Sequence, residues 1–175
     1  MNDGIPSVTN LREATPDDDE AVTSLVTAYL MWAHRILRDE FAVDEPPTDA
    51  AHVRDSLPTL RRPGALTLLA ERQGQAIGVG AVRGLGTEVV EIKRMYVAPE
   101  ARGLNIGAGL LDRLLDEARN EGAKTVRLDT CVFMTDAQRL YRSRGFLERI
   151  PYEETEIPER LQQYWLFFER SLRVR

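Results

Sequence analysis

The stretch that most constrains this chain runs from Val89 to Gly122, V-V-E-I-K-R-M-Y-V-A-P-E-A-R-G-L-N-I-G-A-G-L-L-D-R-L-L-D-E-A-R-N-E-G. Val89 to Val97 is rich in β-branched and long apolar residues and stops short of Pro99, which has no N–H to give a ladder, so a strand is predicted. From Gly107 the apolar residues Leu110, Leu111, Leu114, Leu115 and Ala118 recur at three- and four-residue spacing. Asp112, Arg113, Asp116, Glu117 and Arg119 fill the opposite face. That pattern predicts an amphipathic helix, with Gly122 placed to end it. Thr125 to Cys131 then reads as a buried strand with Val126, Leu128 and Thr130 on one face. Strand, helix, strand is a βαβ crossover, and its two strands are expected to be parallel.

The connection before the helix is Arg102-Gly103-Leu104-Asn105-Ile106-Gly107-Ala108. Glycines there let the backbone approach a ligand closely, so that several N–H groups can point at one anion near a helix N-terminus. This predicts a pyrophosphate cradle. No Lys-Ser or Lys-Thr pair follows Gly107, as a nucleotide P-loop needs, and Gly103 and Gly107 do not make G-x-G-x-x-G.

With Arg102, Asn105 and Gly107 at its three key positions, the segment resembles the acetyl-CoA motif [QR]-x-x-G-x-[GA] of the GNAT superfamily of N-acetyltransferases. The strand text E-I-K-R-M-Y-V-A-P-E and the later A-Q-R-L-Y-R-S-R-G-F are also similar to that superfamily. Together the matches cover roughly the last two-thirds of the chain. Asn105 stands where the family usually has its first motif glycine, and asparagine is the next most tolerant residue for a left-handed conformation.

The rest of the chain supplies the other elements of that fold. Val8 to Ala14 is predicted as an edge strand, followed by Thr15-Pro16 as a helix start. The helix is expected to run to about Leu37, with Val22, Leu25, Val26, Tyr29, Leu30 and Ala33 as its buried stripe. Asp44 to Thr48, with Pro46-Pro47, breaks the chain before a weaker helix over Asp49 to Leu60. Ala65 to Glu71 and Gln75 to Arg83 form a hairpin through Arg72-Gln73-Gly74, and Gly84-Leu85-Gly86 turns into Val89, giving an antiparallel meander. A short helix is expected over Thr135 to Arg144, ended by Gly145, with final strands at Phe146 to Ile150 and Tyr164 to Ser171. The order β-α-α-β-β-β-α-β-α-β-β is the GNAT order. It implies an α/β fold, a mixed, mostly antiparallel sheet of about seven strands with one parallel pair and helices on both faces. One domain spans residues 1–175, divided into a helical acceptor-side region over 1–62, a cofactor-binding core over 65–150, and a C-terminal loop and strand over 151–175.

Composition excludes several classes. At 43% hydrophobic and 29% charged the chain has an ordinary globular composition. It lacks a charged-then-apolar leader and a membrane-length apolar run, so a cytoplasmic protein with no membrane partner is expected. A single cysteine, Cys131, rules out an internal disulfide, and the two histidines, His34 and His52, form no obvious ligand set, so no metal is expected. No basic face with interleaved aromatics suggests nucleic acid. Residues 1–60 carry 12 acids and 4 bases, whereas residues 61–175 carry 16 acids and 19 bases. The second part suits a polyanionic cofactor and the first a cationic acceptor, although acids at Asp17 to Glu20 also complement a helix start.

The resemblance implies acetyl transfer from acetyl-CoA, as donor co-substrate, to a small amine or peptide amine, by direct attack in a ternary complex. It implies that the acetyl group and pantetheine arm lie along Met95, Tyr96 and Val97, and the pyrophosphate on Arg102, Gly103, Leu104, Asn105, Ile106, Gly107 and Ala108. Arg102, Arg139, Arg142 and Arg144 are available for the phosphates. Tyr141 takes the position of the family's proton-donating tyrosine. Glu91, six residues before Val97 and hence on the same strand face by alternation, matches a position where some members carry a general base. A salt bridge with Lys93 or an arginine is the rival reading of Glu91. Met31, Trp32, His34, Arg35 and Phe41 are acceptor-pocket candidates by resemblance. Met134 stands where many relatives have a cofactor-contacting asparagine. Cys131 reads as a buried, inert thiol rather than an acetyl carrier. A homodimer is compatible with this family. The alternatives are a non-catalytic acyl-CoA-binding sensor or interaction module, transfer to a hydroxyl, and use of another acyl-CoA.

Overall fold

The computed structural model describes residues 9–46 and 49–172. Its elements are β1 (Asn10–Glu13), α1 (Asp19–Phe41), α2 (Ala50–Ser56), β2 (Leu66–Arg72), β3 (Gln75–Gly84), β4 (Val89–Val97), α3 (Ile106–Asn120), β5 (Thr125–Cys131), α4 (Thr135–Ser143), β6 (Leu147–Arg149) and β7 (Trp165–Ser171). The seven strands form one sheet in the order β1-β2-β3-β4-β5-β7-β6, and every neighbouring pair is antiparallel except β4 and β5. Both the mixed sheet and its parallel pair are as the crossover required. Val8 of the expected first strand, and Pro47 and Thr48 of the expected break, lie outside the described residues.

Helix ends moved for local reasons. α1 continues past Leu37 to Phe41, where Ala42 turns left-handed (φ 53°) and the Val43 N–H bonds back to the Leu37 carbonyl at 3.1 Å. α2 stops at Ser56, and Leu57–Arg61 continues as a 3₁₀ turn because Pro58 has no N–H for an α-helical ladder. At the other end of α1, Asp18 receives the Arg12 guanidinium at 2.6 Å while Glu71 receives it at 2.7 Å, which ties β1 to both α1 and β2.

The core has a layer on each face of the sheet. On one face Leu110, Leu111, Leu114 and Leu115 of α3 are completely buried against Leu68, Ile92, Val126, Leu128 and Phe168. Each such side chain contributes about 1.5–3 kcal/mol by leaving water. On the other face Val22 and Val26 of α1 and Val53 of α2 pack on Leu69, Val79 and Tyr96.

β4 carries an irregularity that simple alternation does not foresee. Val79 pairs with Tyr96 and Ala81 with Lys93, so β4 inserts one extra residue opposite Gly80. Arg94 takes up the difference with φ 58°, a left-handed conformation that costs a side chain with a Cβ about 1–2 kcal/mol. The bulge inverts the facing of everything beyond it. Glu91 pairs with Arg83 on the α1 side, whereas Val97 pairs with Gly78 on the α3 side. The expectation that Glu91 and Val97 share a face is therefore corrected: an even count alternates correctly only through an unbroken ladder.

The bulge also explains a glycine. A Cβ at Gly80 would lie 2.7 Å from Met95 Sδ and 3.1 Å from Leu114 Cδ1, because the bulge throws Met95 across the strand. Gly80→Val is expected to destabilise the protein by about 1–3 kcal/mol through overpacking, as read from the urea midpoint. Gly80→Ala should cost less, since the Met95 sulfur can move aside.

Candidate active site

β4 and β5 pair only from Val89–Thr125 to Glu91–Arg127. Both strands continue, yet no ladder joins them beyond that point, and a cavity of about 250 Å³ opens in the gap. Its walls are Ile92 to Met95 of β4, Asp129 to Cys131 of β5, the Tyr29–Leu37 face of α1, and Met134 and Tyr141 at α4. Gln138 of α4 donates to the carbonyls of Cys131 at 3.1 Å and Val132 at 2.9 Å, and so holds the turn between β5 and α4.

Asp129 of β5 and Tyr141 of α4 are titratable groups that face this cavity. The Asp129 carboxyl is pushed above its usual range, chiefly by burial and further by the Glu91 charge, against the pull of Lys93 and Arg94. The Tyr141 phenol is also pushed up, by burial first and then by the Asp129 charge, so it keeps its proton. Tyr141 is fixed by an edge contact with Phe146 at 6.0 Å and a tilted contact with Phe168 at 6.1 Å. Among the described residues no protein group hydrogen-bonds its hydroxyl, which leaves that donor for whatever enters the cavity.

Glu91 sits behind this wall. It is fully buried and does not line the cavity. Its Oε1 accepts from the Tyr152 hydroxyl at 2.6 Å, and its Oε2 accepts from Arg83 at 2.7 Å, with Lys93 Nζ at 3.7 Å. The salt-bridge arrangement weighed from sequence is thus present, with Arg83 as the nearer partner. The Tyr152 oxygen is also 3.4 Å from Asp129 Oδ2, which places one phenol between the two carboxylates. Sequence reasoning missed both Tyr152 and Asp129. Asp129 left a signal, a carboxylate in an otherwise apolar strand, which is costly unless it is used or paired; Tyr152 left none, because a loop brings it to the sheet.

The cradle has the expected local form. Gly103 (φ 81°) and Asn105 (φ 57°) are both left-handed, and α3 begins at Ile106 without a side-chain cap. The first helical backbone bond runs from Gly109 N to Asn105 O, so the N–H groups of Ile106, Gly107 and Ala108 have no place in the helix ladder. At Gly107 an added Cβ would meet Leu140 and Val97 at an ordinary 3.8 Å, and its φ does not demand glycine. Neither packing nor backbone therefore explains a residue that weakens a helix by about 1 kcal/mol, and close approach of a ligand does.

The remaining candidates divide. Met95 lines the cavity, while Tyr96 is buried with its ring 5.8 Å from Tyr29. Arg102 donates to the Val97 carbonyl at 3.3 Å and lies over the Trp32 and Tyr96 rings at 5.5 and 6.0 Å, beside the cradle. Arg139, Arg142 and Arg144 are engaged with Asp136, Glu148 and Asp112. Of the five acceptor-side residues only His34 lines the cavity, and burial pushes its imidazole toward the neutral form against the opposing Glu45 charge. Met31 is exposed, Trp32 supports Arg102, Phe41 packs on Phe133 and Tyr164, and Arg35 does not reach the cavity. Met134 lines it, with Sδ 3.4 Å from the Thr130 hydroxyl. Among the described residues no group of three or more His, Cys, Asp or Glu is arranged to hold a metal ion, and no helix is long and apolar enough to cross a membrane.

The family model described as the acetyltransferase (GNAT) family matches residues 31–146, which run from the middle of α1 to just past α4 and include both the split strands and the turn before α3. The chain belongs to the GNAT family. An IAA acetyltransferase of Azospirillum brasilense is 37% identical over 150 residues, 85% of this chain and 90% of that protein. Among solved structures, a GNAT acetyltransferase of Staphylococcus aureus Mu50 superimposes with a TM-score of 0.73 at 20% identity, over 95% of this chain and 100% of that one. YncA of Salmonella typhimurium, solved with its cofactor acetyl-CoA, gives 0.70 at 21% identity over 97% and 96% of the two chains. At those identities the two structures speak for the fold, and the sequence relatives for an N-acetyltransferase.

In this GNAT enzyme Cys131 also lines the cavity, yet burial, followed by the Asp129 charge, pushes its thiol up to about 12. Alkylation by iodoacetamide at pH 8 is expected to run about a hundredfold slower in the native protein than in urea, because the thiolate is the reactive form. Equal rates would mean that the thiol is exposed and acidic.

Proposed function

We propose that the enzyme transfers the acetyl group of acetyl-CoA to a primary amine by direct attack while both substrates are bound. The observation that carries this reading is the gap between β4 and β5, which has Asp129 and Tyr141 in its walls and the α3 cradle beside it. The donor supplies an acetyl carbon activated as a thioester. Its pyrophosphate suits the N–H groups from Gly103 to Ala108, with the acyl end along Met95 to Val97. Beyond Glu91 the edge of β4 that had faced β5 turns its backbone groups toward the gap, where an N–H can meet charge growing on the acetyl oxygen. In this reading residues up to Arg62 bound the acceptor side and residues 65–150 hold the donor, with the 151–175 segment contributing Tyr152 and Glu156.

Asp129 is the group we assign to the amine proton. Its raised affinity for a proton suits a base at neutral pH, and the amine must be deprotonated before its nitrogen forms the new C–N bond. Once Asp129 holds that proton it can donate to the Tyr152 oxygen, whose own hydrogen goes to Glu91. Glu91 acts through its charge, which helps to make Asp129 basic. As the C–S bond breaks, the Tyr141 phenol meets the charge on the leaving sulfur and supplies its proton. The high value held by Cys131 disfavours a relay through an acetyl-cysteine.

Release of CoA thiol in the presence of a panel of primary amines tests the reading directly. A chain that binds CoA and releases no thiol with any amine would refute it. Tyr141→Phe keeps the ring packing and is expected to lower kcat about 10²-fold with CoA affinity little changed. Asp129→Asn should lower kcat/KM and remove the acidic limb of its pH profile. A pH profile that survives Asp129→Asn would assign the amine proton elsewhere.

A separate test addresses the cradle. Gly107→Val fills the space where the phosphates are to approach, and CoA affinity measured by calorimetry is expected to fall at least about tenfold in a folded variant. Unchanged affinity would put the phosphates at another place.

A further inference from the structure

Beneath α2 the cavity continues into a second hollow of about 250 Å³, whose floor is formed by Arg83, Lys93, Arg94 and Glu156. Lys93, Arg94 and Glu156 belong to both spaces. The hollow lies on the α1–α2 side of the sheet, opposite the face that packs on α3 and its cradle.

The ion pairs there are unevenly shared. Arg83 contacts Glu156 at 2.5 Å and Glu91 at 2.7 Å, while Lys93 contacts Glu156 at 2.8 Å and Glu91 at 3.7 Å. Two cations thus share two carboxylates, and Glu156 stays ionised because its contacts with Lys93 and Arg83 outweigh the opposing effect of burial. Arg94 is left over. Among the described residues no carboxylate lies within ion-pair distance of its half-buried guanidinium, and no protein group accepts a hydrogen bond from it. A half-buried charge without a partner is costly, the more so on a residue that also has to hold a left-handed backbone. The bulge thus sets a guanidinium that makes no ion-pair contact among the described residues at the junction of the two spaces.

We propose that Arg94 binds the carboxylate of an amino-acid acceptor whose amine faces Asp129. The inference rests on the acetyl-transfer reading above and names its acceptor class. A guanidinium presents paired N–H donors that match a carboxylate fork. Counting Asp129, the site holds three cations and three carboxylates, so a zwitterionic amino acid, with its ammonium at Asp129 and its carboxylate at Arg94, adds no net charge, whereas an amino phosphate dianion would leave an excess of negative charge. Asp129 lines the first cavity and not the second, so amine and carboxylate have separate places on either side of Arg94. The acid-rich composition of residues 1–60, which had suggested a cationic acceptor, has no counterpart at the site. Among the described residues none of those acids lines either space, and Asp18 is committed to Arg12.

The experiment uses the full chain saturated with CoA and measures calorimetric binding of a panel of N-acetyl amino acids, each beside its carboxamide and its decarboxylated N-acetyl amine. At least one acid is expected to bind ten times or more tighter than both neutral counterparts. Arg94→Asn, which suits a left-handed backbone and therefore preserves the bulge, should bring that ratio to within about twofold, while Arg94→Lys should retain part of it. Equal binding of acids and carboxamides, a preference that survives Arg94→Asn, or tighter binding of N-acetyl phosphoethanolamine would each overturn the proposal, as would absence of any binding at millimolar concentration. Thiol release with the free amino acids is recorded in parallel. Carboxylate-dependent binding without thiol release would leave the Arg94 site standing and refute acetyl transfer; thiol release with neutral amines alone would do the reverse.

Discussion

The structure depends on β4 having a ladder on both sides for only part of its length. Up to Glu91 it is paired with β3 and β5, and beyond Glu91 it keeps β3 alone. A bulge bends a strand and increases its twist, and the bulge at Arg94 lies just past the last β4–β5 pair. β5 meanwhile keeps its full antiparallel pairing with β7 from Thr125 to Cys131, so it does not follow β4 round. Two strands held by different neighbours separate, and a polar-edged gap in the middle of the sheet is the result. α1 closes it from one side and α4 from the other.

The gap has consequences for charge as well as shape. Glu91 is buried where the strands still pair, in contact with Arg83, Lys93 and the Tyr152 hydroxyl. Such a cluster adds little net stability over apolar packing, because desolvation consumes most of the attraction. What it supplies is a fixed field beside the gap. That field acts on Asp129, where the Glu91 charge raises the carboxyl and the cations of β4 lower it. The apolar side of α3 and the ion cluster thus occupy opposite faces of the same short stretch of β4, one giving cohesion and the other tuning protonation.

Much of the fold was legible in residue pattern. The spacing of Leu110, Leu111, Leu114 and Leu115 predicted α3 and its buried face, and the strand-helix-strand order predicted the parallel pair, because both follow from local periodicity and chain connectivity. The left-handed turn at Gly103 and Asn105 was legible for the same reason. The facing of Glu91 was not. Its alternation with Val97 was counted through a strand that contains a bulge, and no residue near Arg94 advertises one, since arginine is not a residue that favours a positive φ.

The acceptor side was the least legible part. Met31, Trp32, Arg35 and Phe41 were chosen by resemblance from one helix, whereas the walls of the two spaces come from α1, α2, β3, β4, β5, α4 and the loop before β7. By itself the sequence determined which residues pair with helical or strand periodicity, where the glycine-bearing turn before α3 falls, and the family to which the chain belongs, because each is encoded by neighbours within a few positions or by a local motif. Only the tertiary structure decided that Tyr152 stands between Glu91 and Asp129, that Arg83 and Lys93 share Glu156, and that Arg94 has no carboxylate among the described residues at ion-pair distance. Those contacts join residues tens of positions apart, and charge balance at a point in space is a sum over every segment that folding brings there.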